Sequence, residues 1–135
     1  MKVVVDTNIM LVSIAETSKY HATFQALLQG KYTLCVTNEI LSEYEEIIGR
    51  FLGEQVATSV IELLLKLPNV ELITPHYHLE LIQTDPDDNK FVDCAFAANA
   101  NFITTNDKHF NILKLLPFPQ FNVISLQEFI KILNL

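Results

Sequence analysis

A chain of 135 residues, half of them hydrophobic, has the length of one domain (residues 1–135) and enough apolar material for a sizeable core. Its net charge of −7, with nine basic residues that form no run, argues against a nucleic-acid binder that works through a broad basic surface. The apolar stretches are short and broken by charge, so none reads as a membrane span.

Val3 to Val5 is a β-branched run, and residues 2–6 read as a first, buried strand. Met1-Lys2 runs straight into it, which leaves no room for a signal peptide and makes a cytoplasmic location the expectation. Thr7 or Asn8 is placed to cap the helix that follows. Residues 9–16 are mostly apolar until Thr17-Ser18 breaks the run. Tyr20 to Leu28 has helical spacing and stops at Gly30. Tyr32 to Val36 is a second strand. Thr37 or Asn38 then caps a helix whose apolar stripe is Leu41, Tyr44, Ile47, Ile48 and Phe51. Another helix fits residues 54–66 and ends before Pro68, and Val70 to Ile73 is a third short strand.

Residues 76–84 carry no single pattern. Asp85-Pro86-Asp87-Asp88-Asn89 is a turn and a helix start, with acids in the first turn where the dipole favours them, and the helix runs to about Asn99. Phe102 to Thr104 is a fourth strand, 117–121 a loop, and 122–124 a fifth strand. Ser125 caps a last helix through Ile132, with Glu128 at the capping-box position. Strands alternate with helices throughout, which implies an α/β fold with a parallel sheet of about five strands covered on both faces. Cys35 and Cys94 lie in apolar surroundings and read as small buried hydrophobes in a reducing compartment.

Chemistry concentrates where strands end. The first strand stops at Asp6-Thr7-Asn8 and the fourth at Thr105-Asn106-Asp107. Carboxylates at the C-terminal tips of parallel strands sit where open α/β sheets place ligands. Acids brought together there need a proton or a metal. Of the acids in Ser42-Glu43-Tyr44-Glu45-Glu46, Glu43 and Glu45 border opposite edges of the apolar stripe, whereas Glu46 points away from it. Glu43 is preferred because it lies nearer the helix start, and so nearer the strand tips. Asp87, Asp88 and Asp93 compete for a further place. Asp93 stands in an unusually apolar setting, and a buried acid must be paired, protonated or metal-bound. Asp88 is equally able to face the site from the helix start. Such a cluster suits metal-assisted hydrolysis with Mg²⁺ or Mn²⁺, hard ions that take oxygen ligands. His109 closely follows the last acid, where it is either a phosphate contact or a surface loop residue. His76 and His78 lack a third partner for zinc.

These segments resemble the PIN domain: Val3-Val4-Val5-Asp6-Thr7-Asn8-Ile9, the helical Ser42-Glu43, Asp85 through Ala95, and Phe102 through Phe110. More narrowly they resemble its bacterial VapC-like branch of toxins from toxin–antitoxin systems. The resemblance spans almost the whole chain in the right order. It implies a three-layer α/β/α fold and a metal-dependent ribonuclease acting on single-stranded or structured RNA. An antitoxin protein and a homodimer are implied with it. By position, Asp6 matches the first-strand acid, Glu43 the helix acid and Asp107 the acid after the fourth strand. Thr105 matches a supporting hydroxyl, and Asn8 and Asn89 are further supporting positions. The acid that VapC-like members place at the start of the late helix falls here on Asn89, so Asp88 or Asp93 is expected to take that duty. The departure at Asn89 is also the feature that favours the other reading, a catalytically weakened PIN-like module that binds protein or RNA.

Overall fold

The computed structural model describes all 135 residues, Met1–Leu135. β1 (Lys2–Val5) lies at the centre of a five-stranded sheet in which every pairing is parallel. Val3, Val4 and Val5 are each at most 1 % exposed. Successive strand residues point to opposite faces, so this uniform burial means that both faces of the strand are covered. Leu34, Cys35 and Val36 of β2 (Thr33–Val36) are buried in the same way. Both cysteines are buried free thiols.

The chain leaves β1 through α1 (Thr7–Ile14) and α2 (His21–Leu28), forms β2, and continues through α3 (Asn38–Leu52) and α4 (Glu54–Lys66) to β3 (Val70–Leu72). It then crosses back through α5 (Asn89–Ala98) to β4 (Phe102–Thr104) on the other side of β1, and ends with β5 (Val123–Ile124) and α6 (Leu126–Ile132). The resulting order is β3-β2-β1-β4-β5. The winding direction therefore reverses between β1 and β4, and a crevice opens beyond the C-terminal ends of those two strands.

The capping signals place the helices. Thr37 Oγ1 accepts from the Ile40 N–H at 3.1 Å, and Ser125 and Glu128 form a reciprocal capping box; a cap of this kind stabilises a helix by about 1 kcal/mol. Gly30 follows α2 with φ 76°, and Gly53 joins α3 to α4 with φ 97°, backbone that a side chain would strain. α1 departs from expectation. Its N-cap position is Asp6, not Thr7 or Asn8, and no side chain caps it. The polar groups that a cap would use are engaged elsewhere, Asp6 with Thr105 and Thr7 with Glu43. The late helix is also preceded by a tight 3-10 turn at Pro86–Asp88, so regular α-helix starts at Asn89. Lys108–Leu115 winds into further 3-10 turns that bury Phe110 and Leu113.

Candidate active site

β1 and β4 are in register, with Val5 opposite Thr104, and the Asp6 N–H donates to the Thr104 carbonyl at 3.0 Å. The residues after each strand therefore emerge side by side. The Thr105 hydroxyl donates to Asp6 Oδ2 at 2.6 Å and accepts from the Asp107 N–H at 3.0 Å. One hydroxyl thus orients the first acid and pins the loop that carries the last. Asn106 Oδ1 accepts from the Leu126 N–H at 3.1 Å, which ties the same loop to the start of α6. Asp107 Oδ1 accepts from the His109 N–H at 2.9 Å.

α3 delivers Glu43. The buried Tyr44 donates its phenol to the Val5 carbonyl, immediately before Asp6. That bond fixes α3 against the tip of β1 and brings the neighbouring Glu43 to the crevice. Glu43 Oε2 accepts from the Thr7 hydroxyl, and Oε1 meets Lys90 Nζ at 2.9 Å. Glu45 is exposed, and Glu46 pairs with Arg50 in solvent. Of these three acids, Glu43 is the one bonded to Thr7, beside Asp6.

The 3-10 turn delivers Asp88. Its Oδ2 is buried without a hydrogen-bond partner, and the His109 Nδ1 ring nitrogen is 3.6 Å away. Burial pushes the Asp88 carboxyl up to about 7, and repulsion from Asp85, Asp107 and Asp6 adds to this. Burial also raises Asp6; the Thr105 bond and the Asn8 backbone N–H oppose the rise, and Asp107 and Glu43 reinforce it. The raised values express the strain of collecting acids in a partly dry crevice.

Asn8 is exposed, and its backbone N–H favours the charged form of Asp6. Asn89 turns away from it: Oδ1 accepts from the Ile82 N–H at 2.9 Å and Nδ2 donates to the Ile82 carbonyl at 2.8 Å. Asn89 is a clamp on the 79–84 segment. Asp93 has partners in another segment. It is buried, as its apolar setting required, and Oδ1 accepts from the Leu79 N–H at 3.0 Å and Oδ2 faces His78 Nδ1 at 3.4 Å. One backbone N–H and one imidazole of the 78–79 segment are the partners of this carboxylate.

Sequence reading overlooked Lys90 as an internal cation and Asp85 as a neighbour of the cluster. The signal for Lys90 was its spacing of three from Asp87, which places both on one helical face. His109 lies 3.9, 3.6 and 3.3 Å from Asp85, Asp88 and Asp107. Ligand atoms of Asp85, Asp88 and His109 lie within 4.8 Å of one another, close enough for one ion.

The raised carboxyls carry a prediction. In the metal-free protein between about pH 4 and pH 7, native Asp88 holds a proton that an unfolded Asp, with a pKa of about 3.9, has lost. The native state binds more protons there, so stability falls as pH rises. The metal-free protein is expected to melt at a higher temperature near about pH 5.5 than near about pH 8, and Asp88→Asn should flatten that dependence. Equal slopes in the two proteins would contradict the assignment.

The PIN domain family profile matches residues 2–109. Among solved structures, VapBC2 from Rickettsia felis, bound to a promoter DNA fragment, superposes with a TM-score of 0.64 at 19 % identity, covering 93 % of this chain and 98 % of that one. DNA-bound VapBC from Salmonella typhimurium gives 0.60 at 15 % identity, with coverage of 93 % and 98 %. The Mycobacterium tuberculosis toxin VapC20, which cleaves the sarcin–ricin loop, gives 0.57 at 16 % identity, with coverage of 81 % and 92 %. No significant match is found among curated proteins. The likeness to these structures lies in the fold, and the profile match over most of the chain settles the lineage: the protein belongs to the PIN domain family.

Proposed function

We propose that this protein is a metal-dependent endoribonuclease, the VapC-like toxin of a toxin–antitoxin pair, with Asp6, Glu43, Asp88 and Asp107 as ligands of Mg²⁺ or Mn²⁺. The observation that carries this reading is the buried, partnerless Asp88 Oδ2, which faces a cluster gathered from four separate segments at the β1/β4 switch point. Side chains that leave such an oxygen unsatisfied at a cost of about 1–3 kcal/mol are arranged for something that completes it. The donor set is oxygen-rich, as hard divalent ions require.

A divalent ion bound there supplies Lewis acidity toward a phosphate oxygen and lowers the pKa of a coordinated water. The chain's own residues prepare the site for that chemistry. Thr105 and Thr7 each spend a hydroxyl proton on an acid, which holds Asp6 and Glu43 in single orientations and keeps them acceptors. Beside the cluster, a cleft of about 730 Å³ is lined by Leu81, Lys108, His109, Ile112 and Leu115. Its apolar wall suits an unstacked base, and Lys108 suits the adjoining phosphate. That supports single-stranded or looped RNA as substrate. The VapBC likeness supports an antitoxin partner in the same proposal, and a homodimer rests on the family resemblance alone.

The test is cleavage of single-stranded and hairpin RNA with Mn²⁺, with Mg²⁺ and with excess chelator. Cleavage is expected with either ion and none with chelator. Mn²⁺ at about a hundred times its Kd should also stabilise the fold by about 2.7 kcal/mol. RNA cleavage undiminished by chelator, or no ion-dependent rise in melting temperature, would overturn the proposal.

A further inference from the structure

Lys90 is a cation placed inside an acidic cluster. Its ammonium meets Glu43 Oε1 at 2.9 Å, Asp87 Oδ1 at 2.8 Å and the Asp87 carbonyl at 2.8 Å. An ammonium has three N–H donors, and here each has a partner. Only 9 % of the side chain is exposed, and Nζ sits 5.6 Å from the centroid of the Phe91 ring. With its donors committed and its side chain enclosed, it has nothing left to offer an RNA phosphate.

We propose that Lys90 is a positioning residue: it locks the Glu43 carboxylate for ion binding and couples α3 to the turn that carries Asp88. Glu43 is held at both oxygens, by Thr7 on one side and Lys90 on the other. Asp87, the other end of the Lys90 bridge, is adjacent to Asp88 in the 3-10 turn. The bridge therefore sets the spacing between two of the acids through a single side chain. Without it, Glu43 keeps one anchor and the turn loses its tie to α3. Groups that orient metal ligands in this way typically change metal affinity or activity by about 10–100-fold when removed.

The inference rests on the proposed metal site, and the experiment separates the two. Mn²⁺ binding to the wild-type protein, Lys90→Met and Asp87→Asn is measured by calorimetry, together with KM for RNA and the Mn²⁺ concentration giving half-maximal cleavage. Lys90→Met is expected to weaken Mn²⁺ binding by about tenfold and raise the half-maximal Mn²⁺ concentration to match, with KM for RNA unchanged. Asp87→Asn removes one arm of the bridge at an exposed residue that leaves the fold intact. It should produce a smaller shift in the same direction. If Lys90→Met does not fold, the Asp87→Asn shift decides the matter. Wild-type Mn²⁺ affinity in the variants would overturn the role of Lys90 while leaving the metal site standing. A rise in KM alone would assign the lysine to RNA and overturn it too. A wild-type protein that binds no Mn²⁺ would overturn both.

Discussion

Asp6→Asn is expected to lower RNA cleavage by at least about a hundredfold and, in the same protein, to raise the melting temperature of the metal-free form. The two effects have one cause. Asp6 is 7 % exposed, its carboxyl is raised first by burial, and Asp107 and Glu43 repel its charge. Asparagine has the same shape, removes the charge, and keeps an oxygen that can accept from the Thr105 hydroxyl. The metal-free fold should gain roughly 1 kcal/mol, as is common when a charged functional site is neutralised, or about 4 °C in melting temperature. Activity moves the other way. The Lewis-acid contribution that a bound ion makes is worth several kcal/mol, and each 1.4 kcal/mol is about tenfold in rate. Steady-state cleavage and thermal melting with and without Mn²⁺ check both halves. Robust cleavage by the variant would remove Asp6 from the site, and a fall in metal-free stability would mean that its role is structural.

How far this site was legible in the sequence depends on which physical signal each residue left. Asp6 and Asp107 were legible because a strand that stops at a carboxylate is a local pattern, and alternation of strands and helices makes the sheet parallel. What no local pattern contains is the strand order β3-β2-β1-β4-β5, which makes the tips of β1 and β4 neighbours. Glu43 was half legible. The apolar stripe left it level with Glu45, and the deciding contact is the Tyr44 phenol on the Val5 carbonyl, a bond between residues 39 apart. Asp93 stood open beside Asp88 in the sequence for an instructive reason. Its apolar flanks correctly announced burial, but burial says only that a carboxylate has partners. Its partners are the Leu79 N–H and His78, in the 76–84 stretch where the sequence has no periodicity to read. Asn89 seemed a defect in the acidic set for the same reason, because its partner Ile82 lies in that stretch too. Segments without regular structure still need donors and acceptors, and side chains on regular elements supply them.

The start of α5 offers the sharpest discrimination, since Asp88, Asn89 and, one turn further on, Asp93 are assigned three different jobs. Asp88→Asn should abolish most ion-dependent stabilisation and cost about a hundredfold in cleavage, while the metal-free protein becomes more stable as the raised carboxyl at about 7 is removed. Asp93→Ala should do the reverse. It strands the half-buried Leu79 N–H and releases His78, which costs about 1–3 kcal/mol of stability, yet the remaining fold should keep its response to Mn²⁺. Asn89→Asp installs the acid that VapC-like members have, and it should bring no gain in activity. A carboxylate keeps the acceptor for the Ile82 N–H but loses the donor to the Ile82 carbonyl, setting two acceptors against each other at 2.8 Å. The 79–84 segment should then loosen, again at about 1–3 kcal/mol. Calorimetric Mn²⁺ titration and thermal melting of the three variants separate the roles. Loss of the ion response in Asp93→Ala but not in Asp88→Asn would exchange their assignments, and higher activity in Asn89→Asp would mean that the site wants its acid one residue later than the 3-10 turn now provides it.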